Sequence, residues 1–179
     1  MVIAVEAAFA ASATERLVLR RPRGADVDEV HRIHADPATN RFNPAGPNTD
    51  LEQSREQLQA WLDHWTGYGF GYWAVEFHGS VIGFAGLRHA EWRGRAILNL
   101  YYRFGPESWG RGLASEAAKH AVAMGVEHFP GVPVVARTKR LNVASQRTAI
   151  AAGLARRPDL DGQDDDGTGH AVILASNWD

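Results

Sequence analysis

Apolar and polar residues alternate over residues 16–21, RLVLRR, as in a strand buried on one face. Pro22 and Gly24 punctuate its end. Val27, Val30, Ile33 and His34 then recur at helical spacing, which predicts a short helix with Asp26 as its cap. Residues 36–48, rich in Pro, Asn and Gly, predict a loop. Leu51, Leu58, Leu62 and Trp65 continue one apolar stripe, and Thr49 followed by Glu52 has capping-box spacing, so a second helix is expected to about Thr66. The Trp61 and Trp65 stripe reads as core.

Three strand-like runs follow at residues 72–77, 81–87 and 97–104, and the short link over 78–80 makes the first two an antiparallel hairpin. A glycine-rich turn at 105–112 opens a long helix from Leu113 to about His128, with Ala117, Ala121 and Met124 on one face. A buried strand is expected at 132–138, then a helix from about Ala144 to Ala152 stopped by Gly153. A weak strand at 155–157 and a last one at 170–176 enclose an Asp/Gly loop. Neither a repeat nor a second hydrophobic unit is seen, so residues 15–179 read as one domain.

The length of 179 residues agrees with one domain. A formal charge of −2 and a pI near 6.4 argue against a general nucleic-acid or polybasic membrane binder, leaving small molecules or proteins as partners. Without cysteine there is no disulfide, thiolate nucleophile or Cys-ligated zinc. No run of apolar residues is long enough to cross a membrane. Residues 1–13, MVIAVEAAFAASA, lack a positive leading region and are split by Glu6, so residues 1–14 are expected to be a flexible extension of a cytoplasmic protein rather than a secretion signal.

The candidate chemistry lies in residues 109–125, WGRGLASEAAKHAVAMG. Gly110, Gly112 and small Ala114 leave successive amides uncovered at a helix start, where the helix dipole is positive, and this suits a pyrophosphate. The same short pattern is equally a tight turn. It is neither a Walker loop nor a full dinucleotide fingerprint.

Trp109-Gly110-Arg111-Gly112-Leu113-Ala114 resembles the [QR]-x-x-G-x-[GA] acetyl-CoA loop of the GNAT acetyltransferases, with Trp in first place as in the branch that acetylates ribosomal-protein N-termini. Pro106-Glu107 before it, Ser115-Glu116-Ala117 after it, the start at residues 16–20, Asn142-x-x-Ser145 and Ala152-Gly153-Leu154 extend the resemblance. It implies an α/β fold of α+β type: a mixed, mostly antiparallel sheet of about seven strands flanked by about four helices, splayed between its fourth strand (97–104) and fifth (132–138).

The resemblance further implies acetyl transfer from the co-substrate acetyl-CoA to an amine, a small molecule or a protein N-terminus, by direct attack in a ternary complex. No metal takes part, and a homodimer is left open. The pyrophosphate would rest on the amides of Gly110, Arg111, Gly112, Leu113 and Ala114, with Trp109 also counted among the cofactor-binding residues. The pantetheine would pair like an added strand with Tyr102, Arg103 and Phe104, with Asn142 holding the cofactor or capping its helix. An amide of the splayed strand would stabilise the thioester oxyanion.

Ser145 matches a serine that protonates the leaving thiolate; its local alternative is a hydroxyl bonded at a helix start. Asn99 stands where relatives carry a glutamate that helps deprotonate the amine, and an amide is no base. A GNAT-fold module binding a CoA ester or a protein without turnover is therefore the alternative function. His31 and His34 share a helix face without a third metal ligand. Residues 159–166, with five Asp, are either a solvated hairpin loop or a lure for a cationic acceptor.

Overall fold

The computed structural model describes residues 2–163 and 170–178, with side chains from residue 5 onward. Among them, five helices and nine strands run in the order α1 (Val2–Ala10), β1 (Ala11–Ala13), β2 (Val18–Arg20), α2 (Val27–His34), α3 (Leu51–Tyr68), β3 (Tyr72–Phe77), β4 (Ser80–Trp92), β5 (Arg95–Phe104), α4 (Leu113–His128), β6 (Val134–Lys139), α5 (Val143–Ala151), β7 (Ala155–Arg156), β8 (Gly162–Gln163) and β9 (His170–Ala175). They build one sheet in the order β1-β2-β3-β4-β5-β6-β9-β7, with β8 also on β9. Every pairing is antiparallel except β5 with β6, whose parallel crossover is α4.

Small residues bring α4 close to the sheet. Ala117, Ala118, Ala121 and Gly125 are buried against it, and a Cβ on Gly125 would lie 2.7 Å from Val134 Cγ2 and 2.8 Å from Leu87 Cδ1. On the opposite face, α2 and α3 bury Val30, Ile33, Leu58 and Trp61 over Tyr72, Ala74 and Phe84. Trp92, Ile97, Val135 and Ile173 form a third cluster toward β9. Trp61 and Trp65 are core, as their stripe indicates.

The sheet has two more strands than expected, and the chain one more helix. The extra helix corrects the expectation of a frayed extension: Phe9 is fully buried, stacked 5.4 Å from Trp73, whose indole Nε1 donates to Phe9 O at 2.7 Å. Its apolar residues show no helical stripe because tertiary contacts, rather than periodicity, hold it. The cap of α3 is Asp50 rather than Thr49, its carboxylate accepting from Gln53 N at 2.9 Å while Gln53 Oε1 accepts from Thr49 N at 2.8 Å. Strand β4 runs on to Trp92 because Arg93 and Gly94, at φ 51° and 73°, make a second tight hairpin of the sort His78 and Gly79 make before it.

His34 and His64 anchor the helical layer as neutral rings. Their Nδ1 atoms face the carbonyls of Val30 and Phe70 at 2.9 and 2.8 Å, which only accept, so Nδ1 carries hydrogen and His34 Nε2 accepts from the Tyr101 hydroxyl at 2.7 Å. Burial foremost, then the Arg103 charge, pushes His34 down to about 3; burial likewise pushes His64 down to about 4. The unfolded rings take protons below about pH 6.5 and the folded ones do not, so stability present above that value is lost as pH falls toward 4. Roughly 2 kcal/mol per ring should disappear between pH 7.5 and 5. Urea unfolding at the two pH values measures it, and equal stability at both would contradict buried neutral imidazoles.

Candidate functional site

Strands β5 and β6 pair only at Leu98↔Val134 and Asn99↔Val135 and then part. At the closed end Leu98 N donates to Pro133 O at 2.9 Å, and at the open end Phe104 O accepts from Trp109 Nε1 at 2.8 Å. Backbone groups alternate sides along a strand, so those of Leu100 and Tyr102, between these two, also face the gap. The gap widens into a cavity of about 970 Å³ lined by β5, β6, the start of α4, α5 and the loop after α2.

The start of α4 closes one end. Gly110 and Gly112 both take φ 73°, a left-handed conformation that turns consecutive amides the same way; Gly112 is the N-cap and no side chain caps it. Among the described residues, no atom beyond its chain neighbours lies within 4 Å of a Cβ built on Gly110. The loop is braced from behind. Glu116 Oε1 accepts from Thr14 Oγ1 at 2.6 Å and Arg16 N at 2.9 Å, and Arg16 reaches Glu116 Oε2 with Nε and Arg111 O with Nη1, at 2.6 and 3.0 Å. Burial, the largest single influence on the Glu116 carboxyl, raises it, but the hydrogen bonds from Thr14 and Arg16 and the Arg16 charge together hold it below its ordinary range. Thr14, Arg16 and Glu116 thus position the loop, a role that spacing over a hundred residues cannot reveal.

Tyr102 and Ser145 meet across the gap. The Tyr102 hydroxyl donates to Ser145 O at 2.8 Å and lies 3.0 Å from Ser145 Oγ, which can donate back to it. Burial pushes the Tyr102 phenol up to about 12, so it stays protonated at neutral pH. Asn142 caps α5, its Oδ1 accepting from Ser145 N at 3.1 Å. On the other side of β5, Asn99 Nδ2 donates to the Tyr72 hydroxyl at 3.0 Å.

Asn99, Tyr102, Arg103, Phe104, Trp109, Gly110, Gly112, Leu113, Ala114, Asn142 and Ser145 all line this one cavity. Leu113 and Phe104 are nevertheless core side chains, so they can serve a ligand only through their backbone. Arg103 points toward the loop after α2, with Nη1 donating to Asn40 Oδ1 at 2.7 Å. The Arg111 guanidinium stands 4.5 Å from the Phe77 ring, outside the lining, so only its backbone amide is placed to serve a ligand in the loop. Among the described residues the lining contains no Asp or Glu.

Of the acidic run at 159–166, Asp159 is paired with Arg157, and Asp161 with Arg156 while it accepts from Ile173 N at 3.0 Å. These two are hairpin anchors; Asp164, Asp165 and Asp166 lie outside the described residues. His31 is bonded to Ser54 Oγ at 2.9 Å. No helix among the described residues is long and apolar enough to cross a membrane.

This architecture is found in known proteins. Residues 16–155 match the family model of the acetyltransferase (GNAT) domain. The uncharacterized N-acetyltransferase p20 of Bacillus licheniformis is 31% identical over 116 residues, 63% of this chain and 64% of that protein, so the match spans less than two thirds of the relative's length. A crystal structure of an acetyltransferase from Agrobacterium tumefaciens str. C58 superposes with a TM-score of 0.78 at 23% identity, covering 94% of this chain and 95% of that one. The ribosomal L7/L12 alpha-N-protein acetyltransferase RimL, solved in complex with coenzyme A, gives 0.72 at 14% identity over 94% and 98%. At these identities the two structures carry the fold. A family match over residues 16–155 and a sheet that parts beside a glycine-started helix agree: the chain belongs to the GNAT acetyltransferase family.

Proposed function

We propose that the protein transfers the acetyl group of acetyl-CoA to an amine by direct attack within a ternary complex. The observation that carries this reading is the union, in one cavity, of the α4 amide loop, the unpaired stretch of β5 and the Tyr102–Ser145 hydroxyl pair. The loop amides at Gly110, Gly112 and Ala114 would take the pyrophosphate, and the Leu100 and Tyr102 backbone would take the pantetheine amides as an added strand.

In the reaction the amine lone pair attacks the thioester carbon, and a gap-facing β5 amide stabilises the oxyanion. Collapse expels the CoA thiolate, which takes a proton relayed through the Ser145–Tyr102 pair as that pair regains one from water, and the acceptor nitrogen loses its extra proton to water. A thiol pKa near 8.5 makes this exit undemanding. Ser145→Ala should therefore lower kcat about 100-fold or less, the low end of general acid catalysis. Because the two hydroxyls are bonded to each other, Tyr102→Phe added to Ser145→Ala should cost less than the product of the single losses. Strictly multiplicative losses in steady-state kinetics would show that the hydroxyls act separately.

Asn99, in place of a carboxylate, favours a second reading, a module that holds a CoA ester without turnover. Thiol release from acetyl-CoA across a panel of amines, with the acetylated product identified by mass, separates the two. Turnover with any member supports transfer, and tight CoA binding without turnover on the whole panel supports the module.

A further inference from the structure

Guanidinium groups gather on the acceptor side of β5, and carboxylates do not. Residues 99, 101 and 103 project from the sheet face that carries α2 and α3, opposite the face packed by α4. Arg88 stands opposite Asn99 in the β4–β5 register, its guanidinium 5.5 Å from the Tyr72 ring whose hydroxyl takes the Asn99 amide. Arg88 Nε is buried without a hydrogen-bond partner. Arg103, on the same face, is held by a neutral amide, Asn40. Arg41, exposed on the loop after α2, lies 5.3 Å from the Phe42 ring and lines the cavity mouth.

Among the described residues, none of these three arginines is within ion-pair distance of a carboxylate. A smaller cavity of about 390 Å³, sharing Asn43, Tyr101 and Arg103 with the main one, is walled by Asn48, Gln53 and Gln57. Among the described residues its lining also contains no acid. The coenzyme phosphates, in the binding mode proposed above, do not account for this charge, because their amide cradle is the start of α4, which packs on the sheet face opposite the one from which Arg88 and Arg103 project.

A half-buried cation without a counter-charge raises the local positive potential, which repels cationic ligands and draws in anionic ones. Building on the acetyl-transfer reading above, we infer that the acceptor is an amine that also bears a carboxylate, bound by Arg41 and Arg103 of the cavity lining beside the amide-lined cavity, while Arg88, behind Asn99 and Tyr72, adds to the positive potential there. Polyamines and Lys-rich segments are disfavoured by the same charges. The carboxylate can come from a free amino acid or from an acidic peptide with its own α-amino group, since the chemistry met by the arginines is the same.

The test uses peptides of matched N-terminal amine pKa, one with Asp or Glu after its free N-terminus, the corresponding amide-neutral peptide and a Lys-bearing one, together with free aspartate and glutamate, whose rates are compared per neutral amine because their amines titrate higher. The expected order in kcat/KM is acidic over neutral over basic, with at least about a tenfold step from acidic to basic that shrinks as salt rises. Preference for the free amino acids or for the peptides identifies the source. Arg41→Gln and Arg88→Met should each reduce the acidic-over-neutral ratio severalfold while the KM for acetyl-CoA stays unchanged, and thermal melting checks that Arg88→Met folds.

Calorimetric binding of the N-acetylated peptides to the CoA-loaded protein reads the same ranking without turnover, so a failure of catalysis is distinguished from a failure of the charge rule. Equal or tighter use of neutral or basic acceptors overturns the inference.

Discussion

CoA is expected to raise the melting temperature of the wild-type protein, and replacing Gly112 by valine is expected to abolish that stabilisation. At 100 times Kd a ligand adds about 2.7 kcal/mol, a shift on the order of 5 to 10 °C for a chain of this size. Gly112 sits at φ 73°, where a β-branched residue is strained by about 1–3 kcal/mol, and relief of that strain turns the cradle amides away. The loss is one of backbone rather than of room, because among the described residues a Cβ there meets only Arg16 Nη2 at 3.7 Å. Gly131→Val is the matched control, with φ 85° and open space around it, outside the cavity lining. It should lower the melting temperature of the free protein yet keep the CoA shift. A Gly112→Val protein that still responds to CoA as wild type does would place the phosphates elsewhere.

The second large effect concerns pH. No acid lines the cavity among the described residues, and Asn99 cannot accept a proton, so the acceptor must arrive neutral. About a tenth of an α-amino group is neutral at pH 7, against less than about a thousandth of a lysine side chain. Well below the acceptor's pKa, kcat/KM should therefore rise about tenfold per pH unit, and about 70-fold from pH 5.5 to 7.5 for an α-amino group. The curve should move with the acceptor when its pKa is altered. A profile fixed near pH 6 for every acceptor would reveal an enzyme base at work.

The parts of this molecule that were legible in its sequence are those governed by short-range periodicity. The stripe through Leu58, Trp61 and Trp65 marks α3, the β-rich runs mark β3 to β5, and Gly110 with Gly112 marks the turn that starts α4. What escaped depends on contacts between distant segments. The tie from Arg16 to Glu116 spans 100 residues and the Tyr102–Ser145 pair 43, and neither leaves a local trace. Helix α1 was illegible because Phe9 is held by Trp73 and Phe70 rather than by a polar-apolar pattern of its own. Charge counting alone also misleads in the acidic run, where Asp159 and Asp161 are consumed by Arg157 and Arg156.

The central claim is that the parted edges of β5 and β6 receive the coenzyme arm while the start of α4 receives its phosphates. Hydrogen exchange resolved to single amides, with and without CoA, tests it most directly. Slowed exchange at Leu100 and Tyr102 together with Gly110, Gly112 and Ala114 is the predicted result, because these amides face the gap and the cradle. Unchanged exchange at all five, with protection appearing on another surface, would contradict it.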